Sequence, residues 1–452
     1  MEETTIIERL KWTGIALLVV FPLLFLGAVH VTLFSVSLFS VRMIVAYSLL
    51  MYVLWRGETD YLPTRGMQMY FVYVAIYILV NMLNMTAFNT TFAKDLVAVH
   101  FISCIVIFAF PRLFKSEAAV RGAYAIIVLG FMLDIITTIL QYNNSPWGWI
   151  IGMSINPIRL DELNKIQASL GDASEFRKSI ITGIMGRAVG NGYFIATMLP
   201  VVTYYVWDKF KLKTLWALAL FAVTTVCIYY VQQRMALAVA LAYLLSIVVL
   251  KKTSATAKFL AAATAAVILV ISLEWIMNFD FSQLGRLAST EDKLRLSFVS
   301  TLDRFISEPQ KLLLGFNQVT NEEEEEVFLI IGHNTFTDAL RMGGLFLLIT
   351  YIVLFYHLCK TLIGIVLFSR REEDFRTMGM AIGCLCFMLY SQTHSTGVQS
   401  GSIMFWVLYM LTIQSHRVRC ETIEAEEAAE ENSEDMDKAL QSVSVTDNNQ
   451  GQ

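Results

Sequence analysis

The stretch IIGHNTFTDALRMGGLFLLITYIVLFY, residues 330–356, combines a polar beginning with an apolar remainder. Its second half is apolar enough to cross a bilayer as part of a helix of about 20 residues. Its first turns nevertheless contain the side chains of His333, Asn334, Asp338 and Arg341. Because each of these is costly to place in hydrocarbon, the first turns are expected to line a polar cavity that is open to one side of the membrane.

The composition of the whole chain indicates an integral membrane protein. Of its 452 residues, 56% are hydrophobic and only 16% are charged, whereas an ordinary soluble domain has about 25% charged residues. Apolar windows of about 20 residues recur along most of the chain. The predicted fold class is therefore all-α, a polytopic membrane protein of about 12 transmembrane helices with a large extracytoplasmic loop.

Hydropathy and charge together predict the topology. The predicted helices cover approximately residues 12–34, 37–55, 67–88, 96–114, 123–142, 186–207, 213–231, 234–250, 257–277, 333–358, 376–393 and 398–415. Lys and Arg are concentrated in alternate short connections, which places those connections and both termini in the cytoplasm. Two long polar stretches, residues 143–185 and 278–332, then lie outside. Residues 1–415 form the spanning domain, and the acidic residues 416–452 are predicted to be a disordered cytoplasmic tail.

Several arginines lie where the positive-inside rule disfavours them. Arg187 is at the external start of the sixth predicted helix, and Arg234 is at a tight external connection. The second external stretch adds Arg286, Lys293, Arg295, Arg304 and Lys311. Guanidinium groups bind phosphate oxygens through two parallel hydrogen bonds and stay charged, so convergent arginines indicate a phosphate or diphosphate ligand. For Arg304 and Lys311, contact with lipid headgroups is the favoured alternative.

His333 is a candidate general base. It follows a long external stretch, and an unperturbed histidine pKa of about 6.5 suits proton transfer near neutrality. A helix cap or an interfacial residue is the more common role for a histidine at such a position. Asp338 and Arg341 are three residues apart and so lie on neighbouring helix faces. They are expected to neutralise each other as a buried pair, with direct catalysis as the alternative.

Metal ions and cofactors are not expected. The five glutamates at residues 322–326 lack the spaced oxygen ligands of a calcium loop, which favours a solvated loop. Cys384 and Cys386 have one residue between them. That spacing fits neither a zinc site nor a redox pair, so both thiols are expected to pack in the core.

The region around His333 resembles the signature region of the O-antigen ligase and O-antigen polymerase superfamily. The segment GHNTFTDALRMGG is similar to the family's His-Asn pair, which opens a helix and is followed by a glycine, here Gly344. Upstream, Arg295 corresponds to the family's loop arginine, with Arg286 as the other candidate. Residues 309–315 correspond to its Pro-to-Gly element.

Two further segments resemble the same family. GRAVGNGYFIA is similar to its arginine-and-asparagine segment and supplies Arg187 and Asn191, while QQRMALAVALA resembles its Ser-Arg segment and supplies Arg234. The chain departs from the family at Gln233, where a serine is usual, and at Leu347, where a small residue is common.

This resemblance implies a glycosyltransferase with a GT-C-like fold in the bacterial inner membrane, with its active site facing the periplasm or outside. Family members move a glycan from undecaprenyl diphosphate to a sugar hydroxyl, with inversion and without a metal or nucleotide sugar. Carried onto this chain, the resemblance makes His333 the base that activates the acceptor hydroxyl. Its diphosphate-binding residues would be Arg187, Arg234 and Arg295, and its supporting residues would be Asn191, Asn334, Asp338 and Arg341.

The expected function is a polysaccharide polymerase that makes an O-antigen or capsule-type glycan. A ligase that transfers the finished glycan to a lipid A core or a protein is the alternative, and a lipid-linked glycan transporter or flippase is the second. Transporters tend to carry their charges near the midplane within internal repeats, whereas the candidate charges here cluster at one face. The expected partners are the undecaprenyl-diphosphate-linked oligosaccharide donor, the glycan acceptor, the lipid bilayer and a chain-length regulator protein, but no nucleic acid.

Overall fold

The computed structural model describes residues 2–26, 30–33, 36–57, 63–84, 93, 96–156, 181–186, 188–209, 213–231, 236–243, 305–316, 335–393 and 402–448. Most of these residues are helical. The helices are α1 (Glu2–Phe25), α2 (Val41–Arg56), α3 (Arg65–Asn84), α4 (Phe101–Leu113), α5 (Glu117–Tyr142), α6 (Pro146–Ile155), α7 (Ala188–Lys209), α8 (Lys213–Val231), α9 (Lys311–Leu314), α10 (Thr335–Arg371), α11 (Phe375–Tyr390) and α12 (Ile403–Asn448). A π-helical turn, Leu96–His100, leads into α4, and a 3-10 turn, Ser391–Thr393, follows α11.

One antiparallel hairpin interrupts the helical fold. Its strands are β1 (His30–Leu33) and β2 (Val36–Ser40). The prediction that helices at residues 12–34 and 37–55 nearly meet is therefore wrong, because α1 ends and α2 begins on either side of this hairpin. The segment HVTLFSVSLFS, residues 30–40, is rich in valine, threonine and serine. Such β-branched and hydroxyl side chains favour strands and turns over helices.

Four helical stretches among the described residues are long and apolar enough to cross a membrane: α3, Leu96–Leu113, α5 and α10. Along α10, one face exposes Phe346, Ile349, Ile352, Tyr356, Ile363 and Leu367. A soluble protein rarely exposes so continuous an apolar stripe, whereas a bilayer solvates it. The membrane class and the helical fold are thereby confirmed in general terms, while the twelve spans and the large external loop remain predictions.

The helices pack around α5 and α10. α5 contacts α1 on one side and α7, α8 and α12 on others, while α10 contacts α3 and α11. The N-terminus of α5 is capped by Ser116, whose hydroxyl oxygen accepts the Ala119 N–H at 3.2 Å. Between α3 and α12, the rings of Tyr70 and Trp406 lie 4.3 Å apart in the buried core.

Two helices continue beyond their predicted ends. The helix predicted for residues 333–358 extends to Arg371, and two arginines in its last turn suit the negative end of the helix dipole. α12 extends to Asn448, whereas residues 416–452 were predicted to be a disordered tail. The reason is that this segment is rich in Glu and Ala, which are strong helix formers, and it prolongs a helix that already exists.

Candidate functional site

The sequence-predicted site falls largely on residues that the structure does not describe. The predicted site residues outside the described part of the chain are Arg187, Arg234, Arg295, His333 and Asn334. The structure does describe the chain beside two of them. Residues 181–186 and the start of α7 flank Arg187, and α10 begins two residues after His333. Asn191, Asp338 and Arg341 are described directly.

A polar stripe runs along α5, although this helix is a candidate membrane span. Asp134, Thr138 and Gln141 succeed one another at spacings of four and three residues, which places them on one face of the helix. All three are buried, with at most 2% exposure. Buried polar groups within a membrane protein need protein partners, so this face is expected to bind another segment of the chain.

Gln141 binds the first part of that segment, the turn at residues 181–186. Its side-chain oxygen accepts the N–H groups of Thr182 and Gly183, both at 3.0 Å. Its side-chain nitrogen lies 3.3 Å from the Gly183 carbonyl oxygen and 3.2 Å from that of Gly148 in α6, and donates to both. One buried amide therefore holds the 181–186 turn, α5 and α6 together.

Asp134 binds the second part of the turn. Its Oδ1 accepts the Ile184 N–H at 2.8 Å, and its Oδ2 has no hydrogen-bond partner among the described residues. Gly183 has a φ of +54° and lies so close to Asp134 that an added Cβ would overlap Oδ1. The turn ends at Gly186, and the next residue in the sequence is Arg187.

Asn191 supports the same turn from the first turns of α7. It is fully buried, and its side-chain nitrogen donates to Thr138 Oγ1 at 3.0 Å and to the Ile181 carbonyl oxygen at 3.3 Å. The role that the resemblance implies for Asn191 stays a prediction. Its described contacts attach the 181–186 turn to α5.

α10 is broken after its first two turns. Gly343 (φ −145°, ψ 17°) and Gly344 (φ 61°, ψ −157°) are not helical. The polar residues 335–342 therefore form a segment that is separate from the apolar length that follows. Asp338 and Arg341 lie on this polar segment, before the break, whereas the lipid-facing stripe of α10 begins after it.

Residues 305–316 dock against the break. Gly315 (φ 74°, ψ −172°) and Gly344 both adopt a conformation that is essentially restricted to glycine. A Cβ added to Gly315 would lie 2.6 Å from the Gly344 nitrogen, so the two backbones are in direct contact. The Phe316 N–H donates to the Arg341 carbonyl oxygen at 2.7 Å. The Arg341 carbonyl, just before the helix break, is thus hydrogen-bonded by the 305–316 segment.

Asp338 and Arg341 form an ion pair. Arg341 Nη2 lies 3.7 Å from Asp338 Oδ1, and the two side chains are 20% and 4% exposed, respectively. This distance agrees with the expectation that the two charges neutralise each other. The 305–316 segment is also bound by α3. Asn84, the last residue of α3, donates its side-chain N–H to the Leu314 carbonyl oxygen at 2.8 Å.

The end of α11 connects the start of α10 with the start of α7. Thr335, the first residue of α10, donates to Gln392 Oε1 at 3.2 Å and accepts the Tyr351 hydroxyl at 3.1 Å. The ring of Tyr390, the last residue of α11, lies 4.8 Å from that of Tyr193 in α7. Residues near the starts of α7 and α10 therefore each contact the C-terminal end of α11 or the 3-10 turn that follows it.

Several buried polar residues were not among the predicted site residues. His100 lies inside the candidate span Leu96–Leu113, is 3% exposed, and has its Nδ1 3.2 Å from the Tyr70 hydroxyl oxygen. A histidine within the apolar segment VAVHFISCIVIF was a usable signal. The recurrence of Asp134, Thr138 and Gln141 at helical spacing in an apolar span was a second usable signal.

Comparisons with known proteins do not identify a relative. No family model matches this sequence, and no curated protein matches it either. The resemblance to the O-antigen polymerase and ligase superfamily therefore rests on short motifs and on their order along the chain.

Proposed function

We propose that this protein is an O-antigen polymerase-type glycosyltransferase of the bacterial inner membrane. It would transfer a glycan from undecaprenyl diphosphate to a sugar hydroxyl at the external face, with inversion and without a metal ion. The observation that carries the proposal is that α7 and α10 each contact the C-terminal end of α11 or the 3-10 turn that follows it through residues near their own starts. In the sequence, Arg187 directly precedes α7 and His333 precedes α10 by two residues.

A second observation supports the proposal. The Pro-to-Gly element at residues 309–315 and the glycine after the His-Asn pair are separate motifs in the resemblance. In the structure Gly315 and Gly344, which belong to these two motifs, are in backbone contact. This contact attaches residues 305–316, which lie within the second polar stretch, to the helix whose start follows His333.

In the proposed reaction the acceptor oxygen attacks the anomeric carbon as the bond to the diphosphate breaks. His333 accepts the proton of the acceptor hydroxyl, and Arg187, Arg234 and Arg295 bind the departing diphosphate. Since the leaving group is itself a stable anion, neutralisation of its charge supplies more of the rate than protonation does. Attack on the face opposite the diphosphate inverts the anomeric centre.

Deletion of the gene in its host tests this function. Loss of a polymerase is expected to leave a single repeat unit on the normal acceptor, and a plasmid copy should restore long chains. Analysis of the surface glycan by electrophoresis and mass spectrometry provides the measurement. Finished chains that remain on the lipid carrier would identify a ligase instead, and an unchanged glycan would contradict a role in its synthesis.

Lysine substitutions test the proposed diphosphate contacts. Arg187→Lys and Arg234→Lys are each expected to lower polymer synthesis by about tenfold or more, because an ammonium group cannot form the paired hydrogen bonds of a guanidinium. Chain-length distributions at matched protein levels measure the effect. Arg121→Lys is the control, since Arg121 pairs with Glu117 at an exposed helix start and should tolerate the change. Full activity in both lysine variants would exclude a bidentate role.

A further inference from the structure

We propose that Asp134 is a positioning residue for the diphosphate site. Its hydrogen bond to the Ile184 N–H sets the position of the 181–186 turn and so of the chain that continues into Arg187. This inference rests on the proposed function, because the diphosphate site belongs to it. The resemblance assigns no role to a carboxyl group on α5.

The burial of Asp134 shows that its role is indirect. The residue is 0% exposed and lies in a candidate membrane span, so it is closed off from any ligand outside the protein. A carboxyl group is costly to bury unless it makes compensating hydrogen bonds. Among the described residues, the Ile184 N–H donates a hydrogen bond to its carboxylate. An apolar side chain would suit α5 better, so the carboxyl group acts on the turn.

The contacts within the turn show which part depends on Asp134. Gln141 binds the N–H groups of Thr182 and Gly183, which come first in the turn. The Ile184 N–H lies closer in sequence to Arg187 and is bound by Asp134. Loss of the carboxyl group is therefore expected to release the end of the turn that leads into Arg187 while Gln141 still holds its beginning.

The shape of the turn is matched to this side chain. With its left-handed backbone, Gly183 fits between Asp134 and Asn191, and an added Cβ would lie 2.8 Å from Asn191 Nδ2 as well as overlapping Asp134 Oδ1. Asn191 holds the start of the turn at Ile181 from the α7 side. The turn is thus held from α5 and from α7, and it is closed internally by the Met185 N–H, which donates to the Thr182 carbonyl oxygen at 3.0 Å. Of the hydrogen bonds that α5 and α7 make to the turn, the one from Asp134 lies nearest its end.

Amide hydrogen exchange tests the positioning role without reference to activity. In the full-length protein in lipid nanodiscs, Asp134→Ala should speed exchange of the Ile184 amide by about tenfold or more. This is the change in rate that corresponds to the free energy of one hydrogen bond to a carboxyl group. Asp134→Asn should stay within about threefold of the wild type, because its amide oxygen can still accept this N–H. Thr137→Val is the matched control, since the buried Thr137 hydroxyl bonds the Leu133 carbonyl of its own helix.

Two exchange results would overturn the inference. The first is an unchanged Ile184 amide in Asp134→Ala, and the second is an Asp134→Asn variant that exchanges as fast as Asp134→Ala. If Asp134→Ala does not yield folded protein, Asp134→Leu carries the same expectation, because a leucine fills the space and suits an apolar helix.

Binding of undecaprenyl diphosphate tests the functional consequence. Asp134→Ala is expected to raise the Kd of this probe by about tenfold, and Asp134→Asn to keep it within about threefold of the wild type. If the wild type does not bind the probe, the proposed function fails while the exchange experiment still decides the role of Asp134. If the wild type binds it and Asp134→Ala binds equally well, the positioning role fails and the proposed function stands.

Discussion

Gly344→Ala is expected to release residues 305–316 from α10 and to abolish glycan polymerisation. The backbone at Gly344 (φ 61°, ψ −157°) is one that alanine does not adopt without strain of about 1–3 kcal/mol. Its new methyl group would also overlap the Leu313 carbonyl group, which is backbone and cannot rotate away. Polymer synthesis in cells and proteolysis of the detergent-solubilised protein near residues 305–316 measure the two effects.

Gly364→Ala provides the matched control on the same helix. A Cβ at Gly364 would have no atom within 4 Å, and replacement of glycine by alanine in a helix interior adds about 0.5–1 kcal/mol of stability. This variant should therefore keep full activity and melt no lower than the wild type. Equal activity of Gly344→Ala and Gly364→Ala would show that the contact between Gly315 and Gly344 is dispensable.

His333→Ala is expected to reduce polymer formation by about 10²–10⁴-fold, the usual contribution of a positioned general base. Expression and membrane insertion should be unchanged, because α10 begins at Thr335 and is held there by Gln392 and Tyr351. The measurement is glycan synthesis in cells that lack the native copy, with the amount of membrane-inserted variant determined in parallel.

His357→Ala is the control for loss of a histidine from the same region. His357 lies on α10 beyond the glycine break, about 20 Å along the helix from Gly344. Its substitution should leave polymer synthesis intact. Full-length glycan from the His333→Ala variant would show that another group, or none, takes the proton of the acceptor hydroxyl.

The break in α10 explains how one segment can be both polar and membrane-spanning. Residues 335–342 carry the Asp338–Arg341 ion pair, and the lipid-facing stripe begins at Phe346, beyond the two glycines. Since the glycine backbones are not helical, the polar turns do not have to follow the axis of the apolar length. A continuous helix would have placed the ion pair in line with the lipid-facing residues.

Helices with a local signal were predicted well. The prediction for residues 213–231 coincides with α8, and that for 123–142 shares its end with α5. The error at residues 30–40 arose because their apolar content resembles a spanning helix, while their β-branched and hydroxyl side chains favour strands. The prediction of a disordered tail after residue 416 was based on acidic composition. It differs from the helix in the structure because glutamate and alanine also have high helix propensity.

The candidate site was predictable only in part. Asp338 and Arg341 were paired correctly because three residues on a helix is a local spacing. Asn191 was selected, but its contacts with Thr138 and Ile181 were not foreseen. Asp134 was overlooked altogether, since its partner is the backbone of Ile184, 50 residues further along the chain.

The sequence by itself determined that this protein is a helical membrane protein and which residue types are available for chemistry. It could do so because apolar length, the distribution of lysine and arginine and isolated polar residues are properties of short segments. Only the tertiary structure decided that Gly315 meets Gly344, that Asp134 holds the 181–186 turn, and that α7 and α10 each contact the end of α11 or the turn that follows it. These contacts join distant segments, and they depend on how whole helices pack against one another.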